Sequence, residues 1–145
     1  GIKHTTIIDD TYNASPKPME CAIKTASELE TDGRTYAVLG DMLELGNISE
    51  TEHKKIGKLV AESDIDILIT VGERARDIAR GASKAGMSED FIFGFKDSAE
   101  AGLFVQKRIE QGDLILVKGS RGIATEKVVK EIMAVPEKSD ELLVH

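Results

Sequence analysis

The chain has 145 residues, 41% of them hydrophobic and 31% charged, a globular composition sized for one domain with a single core. A formal net charge of −7 and an aromatic content of 4% argue against binding along a nucleic-acid backbone or stacking on its bases. No apolar run approaches the ~18 residues of a membrane span, and no signal-peptide pattern opens the chain. The single cysteine, Cys21, excludes an internal disulfide and points to a reducing, cytoplasmic setting.

The chain starts at Gly1 and enters a predicted strand, His4–Asp9, almost at once, as an excised piece of a longer protein would. A helix is predicted over Lys17–Glu30, where Met19, Ala22, Ile23, Ala26 and Leu29 recur at spacings of three and four. Ser15 and Pro16 mark its start, because serine caps a helix and proline suits the first helical position. The strand Thr35–Gly40 follows, and then "SETE", in which Ser49 can cap a second helix and Glu52 can reach back as a capping box. Ile56, Leu59 and Val60 are its inward positions, and His53 on this charged stretch reads as solvated. The strand Ile67–Val71 precedes a helix over Arg74–Ala85. The strand Phe91–Phe95 precedes a helix over Ala99–Glu110, introduced by Asp97 and Ser98. The strand Leu114–Lys118 precedes a last helix over Thr125–Met133. After Pro136 the tail "VPEKSDELLVH" is polar and then briefly apolar, a frayed end or a short edge element, so the domain is drawn at 1–135 with a tail at 136–145.

Continuous apolar strands alternating with helices define a Rossmann-like, doubly wound α/β domain. Its sheet is mostly parallel, of five or six strands, with about five helices. Such sheets bind ligands outside the carboxyl ends of their strands. The segments at those ends are "DDTYNASP", "GDMLELGN", "GERAR", "KDS" and "GSRG". Asp9 and Asp10 point to opposite faces of the first strand, so one carboxylate can look into the crevice, where it can accept from sugar hydroxyls. "KGSRG" sets Lys118 and Arg121 among glycines in an acidic chain; the guanidinium fork suits a carboxylate or phosphate. In "GERAR", Glu73 suits a helix start, and Arg74 or Arg76 is within reach of a ligand. Met42, Leu43 and Leu45 in the loop after the second strand read as cover for the core or for an adjoining domain. The histidines His4, His53 and His145 are scattered and propose no metal site. There is no G-x-x-x-x-G-K-[ST] loop, no G-x-G-x-x-G after the first strand and no nucleophile elbow. The chain lacks the parts for turnover on its own.

With these loops placed, "IIDDTYNASPKPMECAI", "YAVLGDMLELGNISETEH", "ILITVGERARDIA" and "GDLILVKGSRGIATEKVV" resemble the C-terminal domain of bacterial Mur ligases, in order, from Ile7 to Val129. The members approached most nearly add D-alanyl-D-alanine to UDP-MurNAc-tripeptide in peptidoglycan synthesis. The resemblance implies a three-domain cytoplasmic enzyme. Its first domain takes the UDP-sugar, its central domain carries the phosphate loop and the Mg²⁺ site, and its last domain closes over ATP and the incoming dipeptide. The implied reaction phosphorylates the tripeptide carboxylate with ATP; the dipeptide amine then attacks the acyl phosphate, leaving an amide, ADP and phosphate. By resemblance, Asp10 contacts the nucleotide at its ribose, and Tyr12 and Asn13 border the adenosine. Glu73, Arg74, Lys118, Ser120 and Arg121 face the dipeptide, Arg121 at its carboxylate. No catalytic residue and no metal ligand is assigned to this domain. The family pattern has asparagine where Ser15 stands; serine keeps the capping role, and a ligand contact by that side chain is not carried over.

Two rival readings follow from the same residues. A receiver-type signalling domain also has acidic residues after its first strand and a lysine ending its fifth, but it needs an aspartate after the third, where this chain has "TVGE". A non-catalytic α/β module binding a small anion through "KGSRG" is the other.

Overall fold

The structure, a computed structural model, describes residues 6–10, 15–119 and 143–144, the first and last of these by their backbone. Its strands are β1 (Thr6–Asp10), β2 (Thr35–Gly40), β3 (Ile67–Val71), β4 (Ile92–Phe95), β5 (Leu114–Lys118) and β6 (Leu143–Val144). Its helices are α1 (Pro16–Glu28), α2 (Ser49–Ala61), α3 (Arg76–Lys84) and α4 (Ser98–Arg108). The six strands form one sheet in the order β4-β3-β2-β5-β1-β6. Every neighbouring pair is parallel. The expected α/β class is the one observed, and the apolar end of the tail is an edge strand, β6, beside β1. The helix expected over Thr125–Met133 lies outside the described residues, as do His4 and Thr5 of the first predicted strand.

The handedness of the crossovers decides which helix covers which face. The steps from β1 to β2, β2 to β3 and β3 to β4 all run in one direction along the sheet, and the step from β4 to β5 runs back. Because crossovers are right-handed, the first three helices must share a face and α4 must take the other. The core divides accordingly. Met19, Ile23 and Ala26 of α1, Ile56 and Val60 of α2, and Ile78 and Ala82 of α3 pack on Ala37, Leu39, Leu68, Leu114 and Leu116. Ala101 and Val105 of α4, with Ile109 just after it, pack on Tyr36, Val38, Ile67, Ile69, Val71, Ile115 and Val117. Alternate residues of β2, β3 and β5 thus serve opposite clusters, as the period of two requires.

α2 and α3 touch backbone to backbone. Gly57 faces the Ile78 carbonyl and the Ala82 nitrogen, and Gly81 faces the Lys54 carbonyl. A Cβ at either place would overlap those atoms.

Of the four described helices, only α4 is capped by the side chain preceding it. Ser15 holds the N-cap position of α1 in extended conformation with proline in the first turn, but its side chain makes no capping hydrogen bond, so the expected capping role is not taken up. Asp97 caps α4 by accepting from the Ala99 N–H at 2.6 Å. At α2 the predicted capping box does not form. Ile48 is the N-cap residue, Ser49 is already helical, and a 3-10 turn over Gly46–Ile48 leads into it. The Ser49 hydroxyl lies 3.2 Å from His53 Nδ1, and Glu52 pairs with Lys55. Leu29, counted as inward by its spacing, falls past the end of α1 and is 46% exposed.

Candidate functional site

The carboxyl ends of the strands make one rim. β5 lies between β2 and β1, and the register sets Asp10 of β1 opposite Lys118 of β5, with Leu39 of β2 on its other side. Adjacent strands lie ~4.8 Å apart, so the two strand ends carrying the acidic and the cationic turns stand side by side. The loop after β3 is three strand spacings from β1, roughly 14 Å along the same rim. Tyr12, Asn13, Ser120 and Arg121 lie outside the described residues, and Asp10 is described by its backbone.

Among the side chains described, the nominated residues differ sharply in exposure. Glu73 and Arg74 are exposed in the loop after β3. With Arg76, Asp77 and Arg80 they line an open groove of about 400 Å³. Arg80 is engaged by Asp77 at 2.7 Å, while Arg74 and Arg76 are exposed beside Glu73. One carboxylate next to two guanidiniums suits a ligand bearing both an ammonium and a carboxylate group. Lys118, by contrast, is fully buried. It follows Leu114 and Leu116 by steps of two, which puts it on the face covered by α1 to α3. A buried ammonium demands partners, and Lys118 has interactions within the domain.

Two further polar side chains hold this rim; the sequence reading took one as solvated and gave the other no role. His53, read as solvated, is fully buried. Its Nδ1 lies 2.7 Å from the Ser49 carbonyl oxygen, and the Met42 N–H donates to its Nε2 at 3.0 Å. These partners set the neutral tautomer with the proton on Nδ1, since Nε2 must offer a lone pair. The signal lay in the spacing. His53, Ile56, Gly57 and Val60 are the buried positions of α2, an i, i+3, i+4, i+7 stripe with histidine in its first place. Asp41, 3% exposed, accepts from the Ala75 N–H at 2.6 Å and so fastens the loop after β3. Gly72 makes room for it: φ is +110°, and a Cβ there would lie 2.5 Å from Asp41 Oδ1. Met42, as anticipated for this loop, is buried in the core, and Leu45 packs against it.

Carboxylates at the opposite rim do structural work. Asp113 accepts from the Arg34 and Glu110 amides, and Asp66 accepts from the Thr35 amide. Burial raises the Tyr36 phenol above its ordinary value of 10.0, and Asp113 nearby raises it further. Among the described residues no group of three or more acidic, histidine or cysteine side chains could hold a metal ion. No helix among them is long and apolar enough to cross a membrane.

Parallel strands ending in an acid, a cation and glycine turns, on one rim at the point where the winding reverses, define an α/β ligand-binding domain of the doubly wound class. Comparison with known proteins makes this specific. Residues 1–121 match the family described as Mur ligase, glutamate ligase domain, and the chain belongs to that family. It is 40% identical over 131 residues to the UDP-N-acetylmuramoyl-tripeptide–D-alanyl-D-alanine ligase of Bacillus subtilis, covering 90% of this chain and 28% of that protein. The Escherichia coli ligase of the same name is 32% identical over 126 residues, covering 87% of this chain and 26% of that one. Among solved structures, MurF of Thermotoga maritima in complex with ADP superposes with a TM-score of 0.71 at 27% identity, over 93% of this chain and 28% of that one. MurF of Acinetobacter baumannii does so with a TM-score of 0.76 at 29% identity, over 90% and 28%. The chain therefore spans little more than a quarter of the relatives it matches. Family membership displaces the receiver and anion-module readings.

Proposed function

We propose that this chain is the C-terminal domain of an ATP-dependent ligase that joins D-alanyl-D-alanine to UDP-MurNAc-tripeptide in peptidoglycan synthesis. The observation that carries the proposal is the similarity to ligases of that name over nine-tenths of this chain, at up to 40% identity. The rim supports it from chemistry. Its groove at Glu73 and Arg74 is polar and open, unlike the enclosed apolar pockets that hold a small ligand unaided. A half-site of this kind works once a neighbouring domain closes over it.

In this reading Asp10, Tyr12 and Asn13 serve the nucleotide. Glu73, Arg74, Ser120 and Arg121 serve the dipeptide, with Arg121 at its carboxylate and Glu73 suited to its ammonium end, while Lys118, expected from the sequence to face the dipeptide, is fully buried and supports this rim from within. The roughly 14 Å between β1 and the loop after β3 leaves room for both ligands along one rim. The phosphate loop, the Mg²⁺ site and the UDP-sugar site belong to the other domains of the same cytoplasmic protein, so this domain by itself folds, binds ATP weakly at most and turns nothing over. The domain takes in the edge strand β6 at Leu143–Val144 and so extends past the boundary at 135 drawn from the sequence. The deciding experiment assays the full-length protein with ATP, UDP-MurNAc-tripeptide and D-alanyl-D-alanine. Phosphate release that requires all three supports the proposal, and release without the dipeptide, or none, overturns it.

A further inference from the structure

We propose that Asp41 and His53 are positioning residues that hold the loop Gly72–Arg76 in register with the dipeptide, an inference that rests on the ligase reading above. The two act in series. From α2, His53 accepts the Met42 N–H and thereby fixes the residue next to Asp41. Asp41 then reaches across to the Ala75 N–H. Glu73 and Arg74 lie between that anchor and Gly72, whose own N–H donates to the Phe95 carbonyl at 2.9 Å. The exposed pair is therefore pinned on both sides, by β4 behind and by Asp41 ahead.

Several features separate this arrangement from ordinary loop packing. A buried carboxylate costs desolvation that a neutral cap would avoid, and here it serves a turn that carries two exposed charges. Gly72 keeps the space Asp41 Oδ1 occupies, so the loop and its anchor are fitted to one another. His53 is buried on both ring nitrogens, each with a backbone partner, which leaves it no part in chemistry and a defined part in geometry. The anchored turn opens α3, whose next residues, Arg76, Asp77 and Arg80, line the groove. Small displacements of a binding group cost large factors in rate or affinity. A slack anchor should therefore register in the dipeptide constant before it registers in folding.

The test uses the full-length ligase and a matched pair of substitutions. His53→Gln places an amide oxygen where Nε2 stood and keeps the Met42 bond; His53→Asn reaches only the Nδ1 position and loses it. Asp41→Asn retains an acceptor for Ala75, and Asp41→Ala does not. We expect His53→Asn and Asp41→Ala to raise the KM for D-alanyl-D-alanine about 10-fold, with the KM for ATP within twofold of wild type. His53→Gln and Asp41→Asn should recover most of that loss. Amide exchange at Ala75 should accelerate in the two disruptive variants. Should Asp41→Ala fail to fold, the His53 pair carries the same comparison. Glu73→Gln and Arg74→Gln are run beside them. If these raise the dipeptide KM while the anchor variants do not, the positioning role is overturned and the site stands. If these leave it unchanged, the loop is not at the dipeptide and both assignments fall. Equal losses in both KM values that track the melting temperature would reduce Asp41 and His53 to general stability.

Discussion

Gly81→Ala sets two physical effects against each other in one measurement. Gly81 lies within α3, where alanine is the better helix former by about 1 kcal/mol. Propensity alone therefore predicts a more stable protein. The packing predicts the reverse. A Cβ at Gly81 would overlap the Lys54 carbonyl of α2, and the atom in the way is backbone, which has no rotamer to change. Non-bonded atoms need about 3.5 Å, so the helices must part by roughly 1 Å or more. A gap of that size forfeits a quarter to a half of each dispersion contact along the crossing. Overpacking of well-filled interiors costs about 1–3 kcal/mol and occasionally more; without a flexible neighbour the upper end applies. After the propensity gain of about 1 kcal/mol, a net loss of about 2 kcal/mol remains. For a chain of 145 residues, that lowers the melting temperature by roughly 4–8 °C. Thermal and urea unfolding followed by circular dichroism will read it, with an unchanged m-value confirming that stability alone has moved. Gly57→Ala should behave alike, and the double variant should lose less than the sum, because helices already parted accommodate the second methyl. A melting temperature at or above wild type for either single variant would refute the close-crossing argument.

Other outcomes follow from the same structure and the proposed function. In the full-length ligase, Arg121→Ala should raise the dipeptide KM or lower kcat/KM about 10-fold, as loss of a charge-assisted hydrogen bond does, while Asp10→Asn should weaken ATP use with the fold intact. Unchanged dipeptide and ATP constants would remove those residues from their sites. Asp97→Ala removes the side-chain acceptor of the Ala99 N–H and should cost about 1 kcal/mol in urea unfolding; no change would mean that α4 is held by its core contacts alone. The Tyr36 phenol is raised above 10.0 by burial and then by Asp113. The folded state thus holds this proton more tightly than the unfolded chain. That contribution is fully present below pH 10 and is lost as the pH rises through the folded value. Tyr36→Phe should flatten the alkaline fall in melting temperature, and an identical alkaline limb in the variant would rule the phenol out as its source.

Much of the fold is legible in the chain because its signals are local. The boundaries expected for β2, β3 and β5 are those observed, since an apolar run between turn residues reports burial on both faces without reference to any other element. Pro16 in the first turn of α1, and Asp97 before α4, likewise announce helix starts through chemistry that acts within a few residues. The motifs at the strand ends indicate the family for a related reason: each depends on which residue types follow a strand. Where the local signal was ambiguous it misled. "SETE" fits a capping box, yet a 3-10 turn supplies the N-cap of α2 one residue earlier, and its serine turns to His53 instead.

Strand order, the burial of His53 and the Asp41 anchor depend on partners distant in sequence. Nothing in "DLILVK" says that β5 inserts between β1 and β2, which are consecutive in the chain; parallel pairing is decided by crossover handedness and by which faces remain to be covered. That insertion is what sets Asp10 beside Lys118. His53 reads as one more polar residue on a charged helix until Met42, eleven positions earlier, donates to it. Asp41 finds its amide at Ala75, thirty-four positions away. Hydrogen-bond partners of this kind are a product of packing, so residues that hold a site in place stay hidden in a sequence that readily displays the strands and helices around it.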